Sequence, residues 1–145
     1  MNSTKIYELL SKRIGHQFLG VFSIDRLPAR LPPRRPLLLV CNTDKHDKPG
    51  EHWVALYIDR HGEFFDSFGQ PPHQIFKRYW EKYCNSFVYS SRQLQSSISQ
   101  YCGHYTVFYC LVKTLKYNLD DIVNSLTEDT NLNDTLVHNF VCIGL

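Results

Sequence analysis

The chain has 145 residues, 43% of them hydrophobic and 14% aromatic, with a formal net charge of +2. That length supports one sizeable core and is short for two ordinary domains, so a single domain over residues 1–145 is expected. The mild charge does not point to the strongly basic class of nucleic-acid binders, and no apolar run approaches membrane-spanning length.

Met1-Asn2-Ser3-Thr4-Lys5 has no basic region followed by an apolar one, so no secretory signal is read and an intracellular, non-secreted protein without a membrane partner is expected. Ser3 or Thr4 is placed to cap a first helix, whose apolar residues Ile6, Leu9, Leu10 and Ile14 recur at helical spacing until Gly15. From Asp25 to Arg35, prolines and arginines predict an irregular loop, because proline fixes φ and removes a donor. Leu37 to Cys41 reads as a buried strand. Asp44 to Glu51, polar and containing Pro49-Gly50, reads as a loop. Trp53 to Ile58 and Gly62 to Ser67 form an antiparallel hairpin through the turn Asp59-Arg60-His61-Gly62.

Pro71-Pro72 precede a helix with Ile75, Phe76, Tyr79, Trp80 and Tyr83 on one face. Phe87 to Tyr89 predicts a fourth strand. From Gly103 to about Lys116 runs the core helix, carrying Val107, Phe108, Leu111, Val112 and Leu115. Helical segments near Leu119 to Leu126 and Asn133 to Val141 close the chain. The order predicts an α+β protein, with a small mixed or antiparallel sheet packed against a buried core helix and flanked by other helices.

The five cysteines, Cys41, Cys84, Cys102, Cys110 and Cys142, form an odd set without CxxC spacing, as in a reduced intracellular protein. Cys102-Gly103-His104 contains two metal-ligand types, but no second pair at ligand spacing completes a site, so no metal is expected.

Cys102 is the candidate nucleophile. It stands at the start of the core helix, where unpaired N–H groups and the positive end of the helix dipole favour a thiolate. Cys110, further along the same helix, reads as a small buried hydrophobe. A thiolate nucleophile needs a base, and the base needs an orienting acceptor. His52 enters the hairpin's first strand after a loop, and Asp66 lies near the end of its return strand, so antiparallel pairing brings both to one end. An oxyanion in acyl transfer also needs donors: the Cys102 N–H is one, and Gln93, Gln95 and Gln100 compete for the other.

These residues resemble the adenovirus protease family and its relatives in other large DNA viruses and virus-like mobile elements. The resemblance runs through Phe18-Leu19-Gly20, Val40-Cys41-Asn42-Thr43, His52-Trp53, Phe65-Asp66-Ser67-Phe68-Gly69, Gln95 and Cys102-Gly103, and covers most of the chain. It implies a cysteine endopeptidase with His52 as general base, Asp66 as acidic partner where the adenovirus enzyme has glutamate, Gln95 as oxyanion donor and Cys102 as nucleophile. Family members cut viral capsid and core precursors at small glycine-containing motifs during virion maturation, which implies such substrates here and location in the virion and the host nucleus or cytoplasm. The resemblance further implies an activating viral peptide disulfide-linked at Cys84. It also implies activating DNA, for which Arg26, Arg30, Arg34, Arg35, Lys77, Arg78 and Lys82 are candidate phosphate contacts; no small-molecule cofactor is expected. The order His, acid, Gln, Cys-Gly is shared with peptidases of ubiquitin-like modifiers, so such a peptidase is one alternative. A non-catalytic capsid or host-interaction module is another.

Overall fold

The computed structural model describes residues 1–48 and 52–144, so part of the 44–51 loop, including Pro49-Gly50, lies outside the described residues. In chain order it contains α1 (Ser3–Ile14), β1 (Phe18–Ser23), β2 (Leu37–Asn42), β3 (Trp53–Ile58), β4 (His61–Phe65), α2 (Gln74–Tyr83), β5 (Ser86–Tyr89), α3 (Cys102–Lys113), α4 (Leu119–Asn124) and α5 (Thr130–Cys142). The strands form one mixed sheet in the order β1-β2-β3-β4-β5, with β1/β2 and β4/β5 parallel and the two inner pairs antiparallel. No described helix is long and apolar enough to cross a membrane.

The continuous apolar run of β2 follows from its position between two cores. Leu38 and Val40 face a core shared with α1, α3, α4 and α5, while Leu37, Leu39 and Cys41 face a second core shared with α2. Ala55 and Phe65 belong to the first side; Val54, Leu56, Ile58 and Phe64 belong to the second. Alternation along each strand thus gives both faces of the sheet a dry layer, each fully buried leucine contributing about 1.5–3 kcal/mol.

Several predicted boundaries shift. Asn2, not Ser3 or Thr4, caps α1, its Oδ1 accepting from Lys5 N at 2.9 Å; Gly15 ends the helix at φ 72°. β1 was not expected from the sequence: Gly20 (φ 149°) interrupts its apolar run, and the register with β2 shifts between Phe18 and Gly20. β4 begins at His61, placed in the turn by the sequence reading, and ends at Phe65, leaving Asp66 and Ser67 beyond the strand. The core helix ends at Lys113, so Leu115 is 68% exposed and not part of the core. On α2, Phe76 and Trp80 are buried whereas Ile75 is exposed.

A buried polar network fixes α3 against the sheet. Glu63 on β4 receives Tyr109 Oη at 2.7 Å, Lys113 Nζ at 2.9 Å and the Leu119 N–H at 3.1 Å. Lys113 Nζ also donates to Tyr117 O at 2.8 Å and lies 4.3 Å from the centre of the Tyr57 ring. One carboxylate therefore joins β4, α3 and the start of α4, which sets where the opposite end of α3 presents Cys102.

Candidate active site

His52 immediately precedes β3, where its carbonyl accepts from Thr43 N at 2.9 Å and extends the pairing with β2. Asp66 immediately follows β4. Pairing of Ala55 with Phe65 brings the two residues to one end of the hairpin, and His52 Nε2–H donates to Asp66 Oδ1 at 2.6 Å. The same Oδ1 accepts the Phe68 N–H at 2.8 Å, and the Phe68 ring stacks on the imidazole at 4.8 Å and 27°. Gly69 closes the turn at φ 70°, its N–H reaching Asp66 O at 2.9 Å. A Cβ at Gly69 would meet Arg92 backbone atoms at 2.7 Å, so only glycine lets the later loop approach this closely.

Cys102 is the first residue of α3, preceded by Tyr101, which provides no side-chain cap. Thr106 Oγ1 donates to Cys102 O at 2.8 Å and to Trp53 O at 3.3 Å, tying the first turn of α3 to β3. At Gly103 a Cβ would lie 3.0 Å from Met1 Cβ and 3.3 Å from Trp53 Cδ1, which accounts physically for a residue without a side chain next to the thiol.

His52 and Cys102 act on one another. Burial lowers the imidazole pKa, but the bond to Asp66 and the interaction with Cys102 outweigh it and raise the pKa to about 9. Burial pushes the Cys102 thiol up; the interaction with His52 and the backbone N–H groups of Trp53 and Gly103 outweigh this and hold it below the usual thiol value. His52 Nδ1, the nitrogen not used by Asp66, is buried without a hydrogen-bond partner among the described residues. Both shifts run in the direction of a thiolate beside an imidazolium. By contrast, burial pushes up the thiols of Cys41, Cys84 and Cys110.

Gln95 is fully buried in the wall of the same cleft. Its Oε1 accepts from Ser67 Oγ at 2.6 Å, and its Nε2 donates to Ser99 O and Ser99 Oγ at 3.1 and 3.0 Å. Gln93 points its amide at Gln95 O and Ser97 Oγ instead, while Gln100 lines the cleft with Gln95. The 94–96 loop is held from α5: Asn133 Nδ2 donates to Leu94 O at 3.1 Å, and Asp134 Oδ1 accepts Ser96 N at 3.3 Å and Tyr105 Oη at 2.8 Å. None of these loop clamps was visible in the sequence, since Ser67 and Gln95 are 28 positions apart and Leu94 and Asn133 are 39 apart.

The cleft of about 370 Å³ brings His52, Gln95 and Cys102 together with Met1, Trp53 and Phe68. It adjoins a larger hollow of about 570 Å³ that shares Met1 and Trp53, and one of about 420 Å³ that shares His52 and Phe68. Cys84 lies elsewhere, at the C-terminal cap of α2, packed with the second core. The basic candidates lie on the 24–36 segment and on α2, joined by hydrogen bonds from Tyr79 Oη to Pro28 O and from Tyr83 Oη to Ala29 O.

No protein-family model matches the chain. It is similar to "Cysteine protease S273R" of African swine fever virus (isolate Tick/Malawi/Lil 20-1/1983), 26% identical over 116 residues, covering 70% of this chain and 42% of that protein. It is also similar to "Protease" of bovine adenovirus 7, 26% identical over 133 residues, covering 78% of this chain and 65% of that one. A crystal structure of the ASFV pS273R protease matches its fold with a TM-score of 0.68 at 20% identity, covering 94% of this chain and 66% of that chain. The selenomethionine form of that protease matches with a TM-score of 0.56 at 22% identity, over 74% and 44%. The chain thus spans 42% to 66% of the length of these relatives.

Proposed function

We propose that this chain, whose fold is that of the adenain-like viral cysteine proteases, is a thiol endopeptidase acting through Cys102, His52, Asp66 and Gln95. The observation that carries the reading is the hairpin end at which Asp66 holds His52 Nε2 at 2.6 Å, in a cleft shared with the Cys102 thiol. The Cys102 thiolate attacks the scissile carbonyl carbon, and the carbonyl π electrons move to oxygen. Collapse of that intermediate breaks the C–N bond, and the imidazolium of His52 gives its proton to the leaving amine. Water, deprotonated by the now neutral His52, then attacks the thioester and frees the acid and the thiolate. Asp66 keeps the ring oriented and stabilises its charged form.

The developing oxyanion needs donors. The Cys102 N–H is one. For Gln95 to be the second, one Nε2 proton must leave Ser99 for the substrate oxygen, while Ser67 keeps the amide's other end in place.

The hollows that share Met1 and Trp53, and His52 and Phe68, with the Cys102 cleft favour an extended polypeptide as substrate, in line with viral capsid or core precursors cut at small glycine-containing motifs. On this reading the protein works in virions and in the host nucleus or cytoplasm. A disulfide-linked activating peptide at Cys84 requires that thiol to turn away from Gly62, where a Cβ would lie only 2.9 Å from the sulfur. DNA activation would use Arg26, Arg30, Arg34 and Arg35 with Lys77, Arg78 and Lys82, whose two segments are bonded together.

The test is cleavage of extended glycine-containing precursor peptides by wild type and Cys102→Ala, with and without viral peptide and DNA, beside folded ubiquitin-like modifiers carrying a Gly-Gly tail. Thiol-dependent cleavage of the extended peptides alone is expected. Cleavage confined to the modifiers would move the reading to the alternative peptidase, and no cleavage under any condition would leave a non-catalytic module.

A further inference from the structure

Three donor side chains that the proteolytic reading leaves unused meet between α3 and α5. His138 and Cys142 are four residues apart on α5, so one helical turn sets them on the same face. His104 approaches from α3, and one donor atom of each residue lies within 4.8 Å of the other two. The His104 and His138 rings are 5.3 Å apart and tilted by 33°, and the Tyr101 ring covers both at 5.1 and 5.2 Å. His104 Nδ1 is buried with no hydrogen-bond partner among the described residues, which leaves a polar atom uncommitted at the helix interface.

We propose that His104, His138 and Cys142 form a site for a divalent transition metal of the zinc class, with a fourth position open to water. Two imidazoles and a thiolate are borderline-soft donors, which suit Zn²⁺ and do not suit Mg²⁺ or Ca²⁺, whose sites are built from oxygen. Zinc–nitrogen bonds of about 2.0–2.1 Å and a zinc–sulfur bond of about 2.3 Å in a tetrahedron set the donors roughly 3.3–3.7 Å apart. The cluster therefore needs to close by about 1 Å, which is within the reach of side-chain rotation for exposed Cys142 and half-buried His138. Binding forms the metal–sulfur bond with loss of the Cys142 thiol proton to solvent.

In sequence, nothing at ligand spacing completes Cys102-Gly103-His104 as a metal site. The completing pair is His138 and Cys142, and its partner is His104 without Cys102, a combination that only the packing of α5 on α3 brings together. A metal there would fasten α5 to the helix that begins with Cys102, next to Tyr101.

The site is tested in the full chain carrying Cys102→Ala, so that neither the reactive thiol nor proteolysis contributes and the outcome is independent of the endopeptidase reading. Co²⁺ is the spectroscopic probe and Zn²⁺ the competitor. One Co²⁺ per chain with a thiolate-to-cobalt charge-transfer band is expected, displaced by Zn²⁺, and Zn²⁺ should raise the thermal midpoint. Adding Cys142→Ser, a substitution at an exposed position, should abolish the band and weaken binding at least tenfold; His138→Gln should weaken it likewise. Absence of the band, or equal binding with and without Cys142→Ser, would overturn the assignment.

Discussion

Ser67 Oγ donates to Gln95 Oε1 at 2.6 Å, joining the turn that follows Asp66 to the loop that leads to Cys102. The acid that orients His52, Asp66, and the residue that holds the amide proposed for the oxyanion, Ser67, are thus adjacent in sequence. Loss of the amide donor in Gln95→Ala is expected to lower kcat by about 10²–10³-fold, the range for one oxyanion-hole donor. Ser67→Ala should lower kcat less, with KM little changed, because the amide remains but its orientation is freed. Steady-state kinetics on one peptide substrate check both, and a Ser67→Ala effect confined to KM would contradict the clamp.

The pH profile follows from His52. In the proposed mechanism its conjugate acid protonates the leaving amine, and its pKa is raised to about 9, so kcat/KM should fall as pH rises through about 9. Asp66→Asn removes the main contribution raising that pKa and should move the alkaline limb to lower pH. Because the folded value lies above the ordinary 6.5, the stability this group contributes is complete below about pH 6.5 and is lost as pH rises towards 9. Denaturant midpoints of wild type and His52→Ala at pH 6 and pH 9.5 should therefore differ more at the lower pH.

Glu63 carries the stability prediction. Truncation to alanine leaves the buried Lys113 ammonium and the Tyr109 hydroxyl without their carboxylate, a loss of about 3–5 kcal/mol by the precedent of broken buried pairs. Glu63→Ala with Lys113→Met should recover part of it. Urea unfolding of the single and double variants gives the comparison, and a single-variant loss under 1 kcal/mol would mean the network contributes little.

Thiol reactivity separates the cysteines. Cys102 lies partly exposed in the cleft against His52, whereas Cys41 and Cys110 are fully buried. Iodoacetamide near neutral pH should modify Cys102 ahead of both, and His52→Ala should slow that modification at least tenfold. Peptide mapping by mass spectrometry reads the order; equal rates at Cys102 and Cys110 would count against an activated thiol.

Much of this arrangement was legible because it rests on local pattern. The hairpin from Trp53 to Phe65 is an apolar run that turns back within a few residues, so the meeting of His52 with Asp66 follows from pairing alone, and Cys102 stands where a strongly apolar helix begins. β1 escaped because Gly20 breaks a short run whose partner, β2, lies beyond a proline-rich segment. Spacing leaves Gln93, Gln95 and Gln100 open, because what holds the Gln95 amide and its loop comes from afar: Ser67 from the turn after β4, and Asn133 and Asp134 from α5. Glu63 was equally hidden: a lone acid in a strand reveals its role only when Lys113 and Tyr109 come to it from a helix some fifty positions away.

Gly62 leaves room for the Trp80 indole and the Cys84 sulfur against β4, and either would collide with a side chain placed there. Cys84 is half-buried in the folded chain, so reagent meets the sulfur from its open side only, and its labelling rate reports how freely the thiol turns out from between α2 and β4. The fold therefore carries a native thiol reporter on the face away from the cleft, readable without removing a residue.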